Sequence, residues 1–424
     1  MSTDLAALYV NDARLALGGQ DGLLACSPGF AVAEGSRLLL GQPARQRARI
    51  NPRHSFNRFW SELNQQPLRR PAGRARHHAD LAYFHLQSLL AEADDEAGEY
   101  LLAVPPWLDA AALALLLGVT QSMNVNVTGL VASGLLPGLA AAAPGPVTVL
   151  EAGLHSVWET SVTVGDSVSL TDRELLLRQG LAGLDDLWVR HIAQCFVRQA
   201  RFDPLHEAAV EQQLYDALPD GLARLDDAPA GRMELQAGGR THGVELQRRD
   251  LVAAAESVYE PLRQRIAAAE GPVFVDHVLA RLPGLMDGLD ADIRSFSETD
   301  LVRAACAAAA DIRSDAAAPA FVTRLPRQTA SACPAPAATA SAPQDPAPTH
   351  LLDESGVARR LSEGLLQGSG PGGPMLTRDG VWALQPAKAP VSLNGGVLSE
   401  PAELSCGDVL DCDGRRWTLV HVEA

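Results

Sequence analysis

The sequence predicts a mixed α/β body followed by a small all-β domain, and three observations carry that prediction. Short strand-like runs alternate with longer helical ones through most of the chain, the pattern of layered α/β structure. Ala330 to Thr349 is alanine, proline and small polar residues, too poor in apolar bulk to fold and suited to a semi-extended linker. Beyond it, strand signals are separated by Gly and Asp-Gly turns.

Tyr100 to Pro105 has the character of a buried strand, and Trp107 to Val119 is expected as a helix whose start is marked by Pro105, Pro106 and Asp109. Val125 to Val131 is the next strand, Ser133 to Ala143 a helix broken by Pro137, and Val147 to Leu150 another strand. Val157 to Val164 and Ser167 to Thr171 form a hairpin across Gly165 and Asp166. Apolar residues at helical spacing then give long helices over Leu184 to Arg201 and Glu207 to Leu218. A second lobe opens after Pro144 and Pro146, so the expected domains are 1–146, 147–325, a linker over 326–349 and a β domain over 350–424. In the last, the runs at Met375, Val381, Val391, Val397, Val409 and Trp417 suggest a β-sandwich or barrel.

With 424 residues the chain can bury two or three cores. Its formal charge of −16 disfavours attraction to nucleic acid or an anionic membrane. The richest basic stretch, Arg45 to Arg76, carries no groove-reading motif and is expected as a solvated face, with no nucleic-acid partner. Ala110 to Leu150 lacks charge, but Gln121, Asn124, Asn126 and three prolines interrupt it, so a buried core segment is expected and no membrane span. The N-terminus has no basic start followed by an apolar core, and the six cysteines are scattered, which together suggest thiols of a cytoplasmic protein. Lys388 is the only lysine.

Several segments, taken in order over most of residues 5 to 315, resemble the ATPase domain of the seventy-kilodalton heat-shock chaperones. Cys26-Ser-Pro-Gly-Phe-Ala, Leu40-Gly-Gln-Pro-Ala and Asn51-Pro resemble that family's "SPxxA … GxxA … NP" passage. Leu102-Ala-Val-Pro-Pro-Trp is similar to "TVPAYF", and Val147-Thr-Val-Leu-Glu-Ala-Gly-Leu-His-Ser stands where the second phosphate loop, "VLVFDLGGGT", falls. Leu181 to Asp186 with Arg190-His191 resembles "GGEDFDxxLxxH", and Gly271 to Pro283 resembles "VxLVGGSSRIP". The resemblance implies a two-lobed actin-like (ribonuclease H-like) ATPase fold that clamps ATP between glycine turns, carboxylates and a lysine.

On that likeness the remnant nucleotide cleft is Asn11, Asp12, Arg58, Glu151, Gly153, Ser156, Asp276 and His277. The first phosphate loop has Asn11 or Asp12 near the family's acid but no glycine until Gly18. In the second, Glu151, Gly153 and Ser156 remain, while Leu154 and His155 replace glycines and add bulk to the phosphate approach. Asp276 and His277 replace the two glycines of the adenosine turn, and the family's first-lobe glutamate falls at about Ser133. No body residue supplies the catalytic lysine; Arg58, near its expected position, is a planar fork and a poor substitute for a point charge. The expected function is a chaperone-like pseudo-ATPase scaffold or regulator, with no catalytic residue, no cofactor, and protein partners that include an active chaperone relative. The alternative is an ATP-binding chaperone in which Glu151, Ser156, Asn11 and Arg58 still hold Mg-ATP.

The tail segment from Val391-Ser-Leu-Asn-Gly-Gly to Leu404-Ser-Cys-Gly-Asp-Val-Leu resembles the closing half of forkhead-associated domains. The arginine and serine with which those modules hold phosphothreonine have only Arg378 and Ser369 as substitutes here, so a protein-contact module is expected. Elsewhere, His78 with His85 fits an amphipathic helix better than a metal site, and Cys406, Cys412 and His421 lack a fourth ligand at a zinc spacing. His155-Ser156 beside Glu151 lacks the glycine elbow of a nucleophile. Trp107, Trp158 and Trp188 are expected as core anchors, and Asp185 and Asp186 as acids near a helix N-terminus.

Overall fold

The computed structural model describes residues 5–93, 97–177, 179–226, 228–314 and 319–327, and stretches between 349 and 420. The chain divides into two compact units, Met1–Thr329 and Ala330–Ala424. The start of the expected linker belongs to a strand, Arg324–Pro326, and residues 328–348 of it lie outside the described residues.

Two six-stranded sheets organise the first unit. The first contains β1 (Leu5–Tyr9), β2 (Leu15–Gly19), β3 (Gly22–Ser27), β4 (Glu99–Val104) and β5 (Val127–Ala132). β1, β2 and β3 form an antiparallel meander, whereas β4 and β5 extend the sheet in parallel from β1. The second sheet repeats this order: β6 (Gly145–Ala152), β7 (Ser156–Val164) and β8 (Ser167–Leu177) are antiparallel. From β6 the sheet continues in parallel through β9 (Val273–Asp276) and β10 (Ile293–Phe296). β1 and β4 are near-continuous apolar runs because central parallel strands are covered on both faces.

Helices cover both sheets. α1 (His78–Ala93) and α2 (Ala110–Ser122) pack Leu81, Leu86, Leu89 and Leu116 on the outer face of the first sheet. α3 (Leu135–Leu139), a single turn that ends just past Pro137, lies between the sheets. α4 (Leu181–Ala200), α5 (Ala208–Ala223) and α6 (Arg248–Ala268) build the outer core of the second sheet around Trp188, Ile192 and Tyr259. α7 (Glu298–Ala307), started by a Ser297–Asp300 capping box, puts Leu301 and Val302 into the core that also holds Tyr9 and Val131 of the first sheet and Val149 and Phe274 of the second. The order from outside to outside is therefore helix, sheet, helix, sheet, helix.

Local differences from the sequence reading have local causes. α2 starts at Ala110, because the Asp109 side chain accepts the Ala112 N–H at 2.8 Å while Pro105 to Leu108 make a turn. α4 starts at Leu181, which leaves Asp185 and Asp186 beyond the first turn and away from the helix end. The division at 146/147 is not clean: β6 begins at Gly145, and Phe321–Val322 returns to pair with β5. A hairpin over Ala230–Ala237 and Arg240–Gln247 and small sheets within residues 31–77 have no counterpart in the sequence reading.

The second unit is all-β among its described residues, in sheets of six and four strands. Trp382 and Leu384 of one sheet share a core with Val391, Leu410, Trp417 and Leu419 of the other, the packing of a sandwich. Ser369, Asn394, Gly395, Cys406, Gly407 and His421 lie outside the described residues. No described helix is long and apolar enough to cross a membrane.

A matched glycine pair tests the layered packing. Gly129 in β5 lies where the chain returns from α7, and a Cβ there would meet the Ile312 carbonyl oxygen at 2.5 Å. Gly118 in α2 has no neighbour within 4 Å of such a Cβ. In chemical unfolding, Gly129→Ala is expected to cost roughly 2 kcal/mol, whereas Gly118→Ala should gain up to about 1 kcal/mol from helix propensity.

Candidate functional site

The carboxyl ends of β1, β6 and β9 converge, the place where open parallel sheets bind ligands. Asn11 and Asp12 follow β1, Glu151 lies at the end of β6 with Gly153 just past it, Ser156 opens β7, and Asp276 ends β9 with His277 next to it. Arg58 is apart from them, half-exposed on the cleft rim and 3.5 Å from Glu62.

Asp12 is buried, and its Oδ1 accepts the Leu154 N–H at 2.7 Å. Its Oδ2 has no hydrogen-bond partner. The Asp12 carbonyl also accepts the Gly29 N–H at 3.1 Å, which fixes the loop from both sides. Burial pushes the Asp12 carboxyl up to about 6, and the backbone N–H of Leu154 only partly offsets it. Gly153 has no room for a side chain: a Cβ would lie 2.5 Å from the Trp158 ring and 2.7 Å from Asp12 Oδ1. Its own N–H donates to the Ser156 carbonyl at 2.8 Å. The amides of Gly153 and Leu154 are thus both spent within the protein.

Glu151 is fully buried and accepts the Tyr9 hydroxyl at 2.9 Å and the Ser133 hydroxyl at 3.0 Å. Burial pushes it up to about 7 against these donors. Asn11 braces the pair, donating to the Tyr9 hydroxyl at 2.8 Å and to the Ala152 carbonyl at 3.0 Å.

Asp276 caps the short helix His277–Ala280 through the Val278 N–H at 2.8 Å. Arg14, which follows the β1 loop, donates to Asp276 at 2.6 Å and also to Glu298 at the start of α7. One guanidinium therefore ties the first sheet, β9 and α7 together, and a fork that meets two buried carboxylates is firmly held. His277 Nδ1 lies 3.5 Å from both Asp276 and Glu298.

Outside this network lies a cleft of about 1060 Å³, lined among others by Arg14, Arg58, His155, Asp185 and His277. Its walls are bridged. Arg49 lies 3.7 Å over the Tyr215 ring and donates to Asp186 at 2.7 Å, and its backbone N–H donates to Gln212 at 2.8 Å. Gln212 returns a bond to the Arg45 carbonyl at 3.0 Å, and His155 Nε2 meets the Asn57 carbonyl at 2.9 Å. Residues 45–57 are thereby clasped to α4, α5 and the loop after β6. Burial pushes Asp185 up to about 6, with Arg45 pulling it back.

The structure places the remaining candidates elsewhere. His155 and Glu151 face different partners and make no nucleophile-base pair with Ser156. His85 is buried between the Ser27 hydroxyl at 2.8 Å and the Trp60 indole N–H at 2.9 Å, with its pKa lowered to about 4 by burial, while His78 meets the Glu62 carbonyl. Trp158 and Trp188 are buried; Trp107 is half-buried against Trp158. Sequence reasoning missed Tyr9, Arg14, Arg49, Tyr215 and Glu298. Only Arg14 carries a signal, as the single cation in the first 36 residues, set between two strand runs.

The raised carboxyls of Asp12 and Glu151 make stability depend on pH. Because Asp12 and Glu151 hold protons in the folded state that the unfolded chain has already released, their contribution to stability falls as pH rises from about 4 to about 7 and is level above that, while His85, kept neutral by burial, works in the opposite sense over most of this window. Asp12→Asn keeps the acceptor for Leu154 and removes the charge. Relative to the wild type its unfolding free energy should therefore improve across that window, by up to roughly 3 kcal/mol. A difference that stays constant from acid to neutral pH contradicts this assignment.

No protein-family model and no curated protein matches this chain, so its own geometry carries the functional reading.

Proposed function

We propose that residues 5–327 form a two-lobed actin-like (ribonuclease H-like) fold of the heat-shock chaperone type whose nucleotide cleft has closed on itself. On this reading the protein is a chaperone-like pseudo-ATPase that works as a scaffold or regulator for other proteins. The repeated strand order supports the fold, together with α7 crossing back to the first sheet. One observation carries the function: Asp12 occupies the Leu154 amide, so the donor an entering phosphate would use already holds an anion. Arg14 pointing into Asp276 and Glu298 adds to it, since freeing that guanidinium would leave two buried carboxylates unpaired. A triphosphate in the cleft would also lie in the field of the buried Asp12 carboxylate behind its wall, with no lysine in the body to offset it. We assign the sandwich tail to protein contact, and the free thiols of Cys26, Cys195, Cys306 and Cys412 agree with a cytoplasmic setting.

A second reading, an ATP-binding chaperone, is favoured by the size of the cleft and by Arg58, His155 and His277 on its wall. Thermal unfolding with millimolar Mg-ATP separates the two. A self-occupied cleft predicts a midpoint change below about 1 °C, whereas binding to the folded state well above Kd requires a rise of several degrees. A rise of that size that disappears in Asp12→Asn or Glu151→Gln would establish the second reading.

A further inference from the structure

Residues 37–78 contain ten arginines and a single acid, Glu62, a local charge of +9 in a chain of net −16, so the rest carries −25. Small sheets present them: Arg37–Leu40 and Ser55–Phe56 flank Ala31–Glu34, and Pro67–Ala72 pairs with Ala75–His77. Four of the ten are engaged. Arg47 lies 3.7 Å from Glu34, Arg49 2.7 Å from Asp186 and Arg58 3.5 Å from Glu62, while Arg45 faces Asp185 in the cleft. The other six, Arg37, Arg53, Arg69, Arg70, Arg74 and Arg76, are exposed, and their guanidiniums have no carboxylate within 4.0 Å among the described residues.

The segments that carry these side chains adjoin one another. Arg70 donates to the Arg53 carbonyl at 3.2 Å, tying the hairpin to the neighbouring loop. Gly73, at φ +62, turns the hairpin tip so close to the Arg37 strand that a Cβ would lie 3.6 Å from the Ser36 carbonyl. Between the hairpin strands lies a shallow groove of about 550 Å³ lined by Arg70, Arg74 and Arg76.

Six unpaired like charges on one small subdomain repel one another, and such a field attracts an oxyanion-dense partner to this face and away from the acidic remainder. Guanidinium forks match carboxylates two oxygens at a time. We propose that this arginine face docks an acidic, Asp- and Glu-rich polypeptide segment of a partner protein. Nucleic acid fits less well. The face has no exposed phenylalanine, tyrosine or tryptophan ring on which bases stack: Phe56 is half-buried, and Phe59 and Trp60 are buried in the core beneath it. A long polyanion would also run off the face onto a surface of opposite preference. The proposal uses no part of the nucleotide cleft and stands whether or not ATP binds there.

Fluorescence anisotropy with a labelled peptide of alternating Asp and Glu, titrated with the full chain, tests it. Binding is expected to weaken steeply between about 50 and about 200 mM salt. The variant R69E/R70E/R74E/R76E should bind roughly tenfold or more weakly, and R69E/R74E should fall between. Reversal of four exposed arginines elsewhere, R190E/R224E/R240E/R249E, should leave binding unchanged. Circular dichroism melts confirm that each variant is folded, and the double variant decides if the quadruple one is not. The proposal is overturned if the peptide does not bind, or if the hairpin variants bind it like the control. It is also overturned if single-stranded or duplex DNA of equal charge binds more tightly through the same arginines. Self-association of the wild type that the hairpin variants abolish would make a second copy the occupant and equally overturn it.

Discussion

A single hydrogen bond, from the Leu154 amide to the buried carboxylate of Asp12, fixes the centre of the body. It joins the loop after β1 to the loop after β6. Two constraints follow from it. Gly153 must stay bare because Asp12 Oδ1 and the Trp158 ring already fill the space, and Gly29 must let the backbone pass within 2.3 Å of where its Cβ would sit. Around this bond the other acids find their own partners: Glu151 takes two hydroxyls and Asp276 takes Arg14. A region that could have been electrostatically open to a ligand is instead largely satisfied by side chains, with Asp12 Oδ2, Trp158 Nε1 and His277 Nδ1 left without hydrogen-bond partners. Buried charges of this kind are tolerated chiefly where partners compensate them, and removing one partner is expected to cost more than the pair contributes.

The same principle extends to the cleft. Arg49, Gln212, Tyr215 and Asp186 join its walls through a stacked guanidinium, an ion pair and two hydrogen bonds of the Gln212 amide. In enzymes that cycle between open and closed states, ligand contacts provide the differential energy that closes the cleft. Here residues 45–57 bond directly to α4, α5 and the loop after β6. On the proposed reading the protein keeps the shape of a closed ATPase and has exchanged cycling for a fixed surface, which suits a scaffold. Arg53 lies in this clasped segment and its carbonyl accepts from Arg70, so the clasp also anchors the arginine hairpin.

The fold was legible where local pattern decides structure. The apolar runs of β4 and β6 and the hairpin across Gly165 and Asp166 need no distant partner to be recognised. Ends were less legible: α4 begins three residues earlier than its apolar spacing suggests, behind an extended Gly180 with no side-chain cap. The hairpin at Gly238 and Gly239, both at positive φ, carried a turn signal that the long helices on either side obscured. The site divided in the same way. Asn11, Asp12, Glu151 and Asp276 fall at strand ends, where order along the chain can find them. Arg14, Glu298 and Tyr9 act through partners separated by 142 to 284 positions, and no spacing rule reaches that far.

The account depends on the Leu154 amide being occupied from within, and amide hydrogen exchange at that residue measures it directly. In nucleotide-free protein this N–H should exchange as slowly as the amides of β6, and Asp12→Ala should speed it by orders of magnitude while β6 stays protected. Rapid exchange in the wild type that slows only when Mg-ATP is added would show an amide waiting for a phosphate, and would contradict the account.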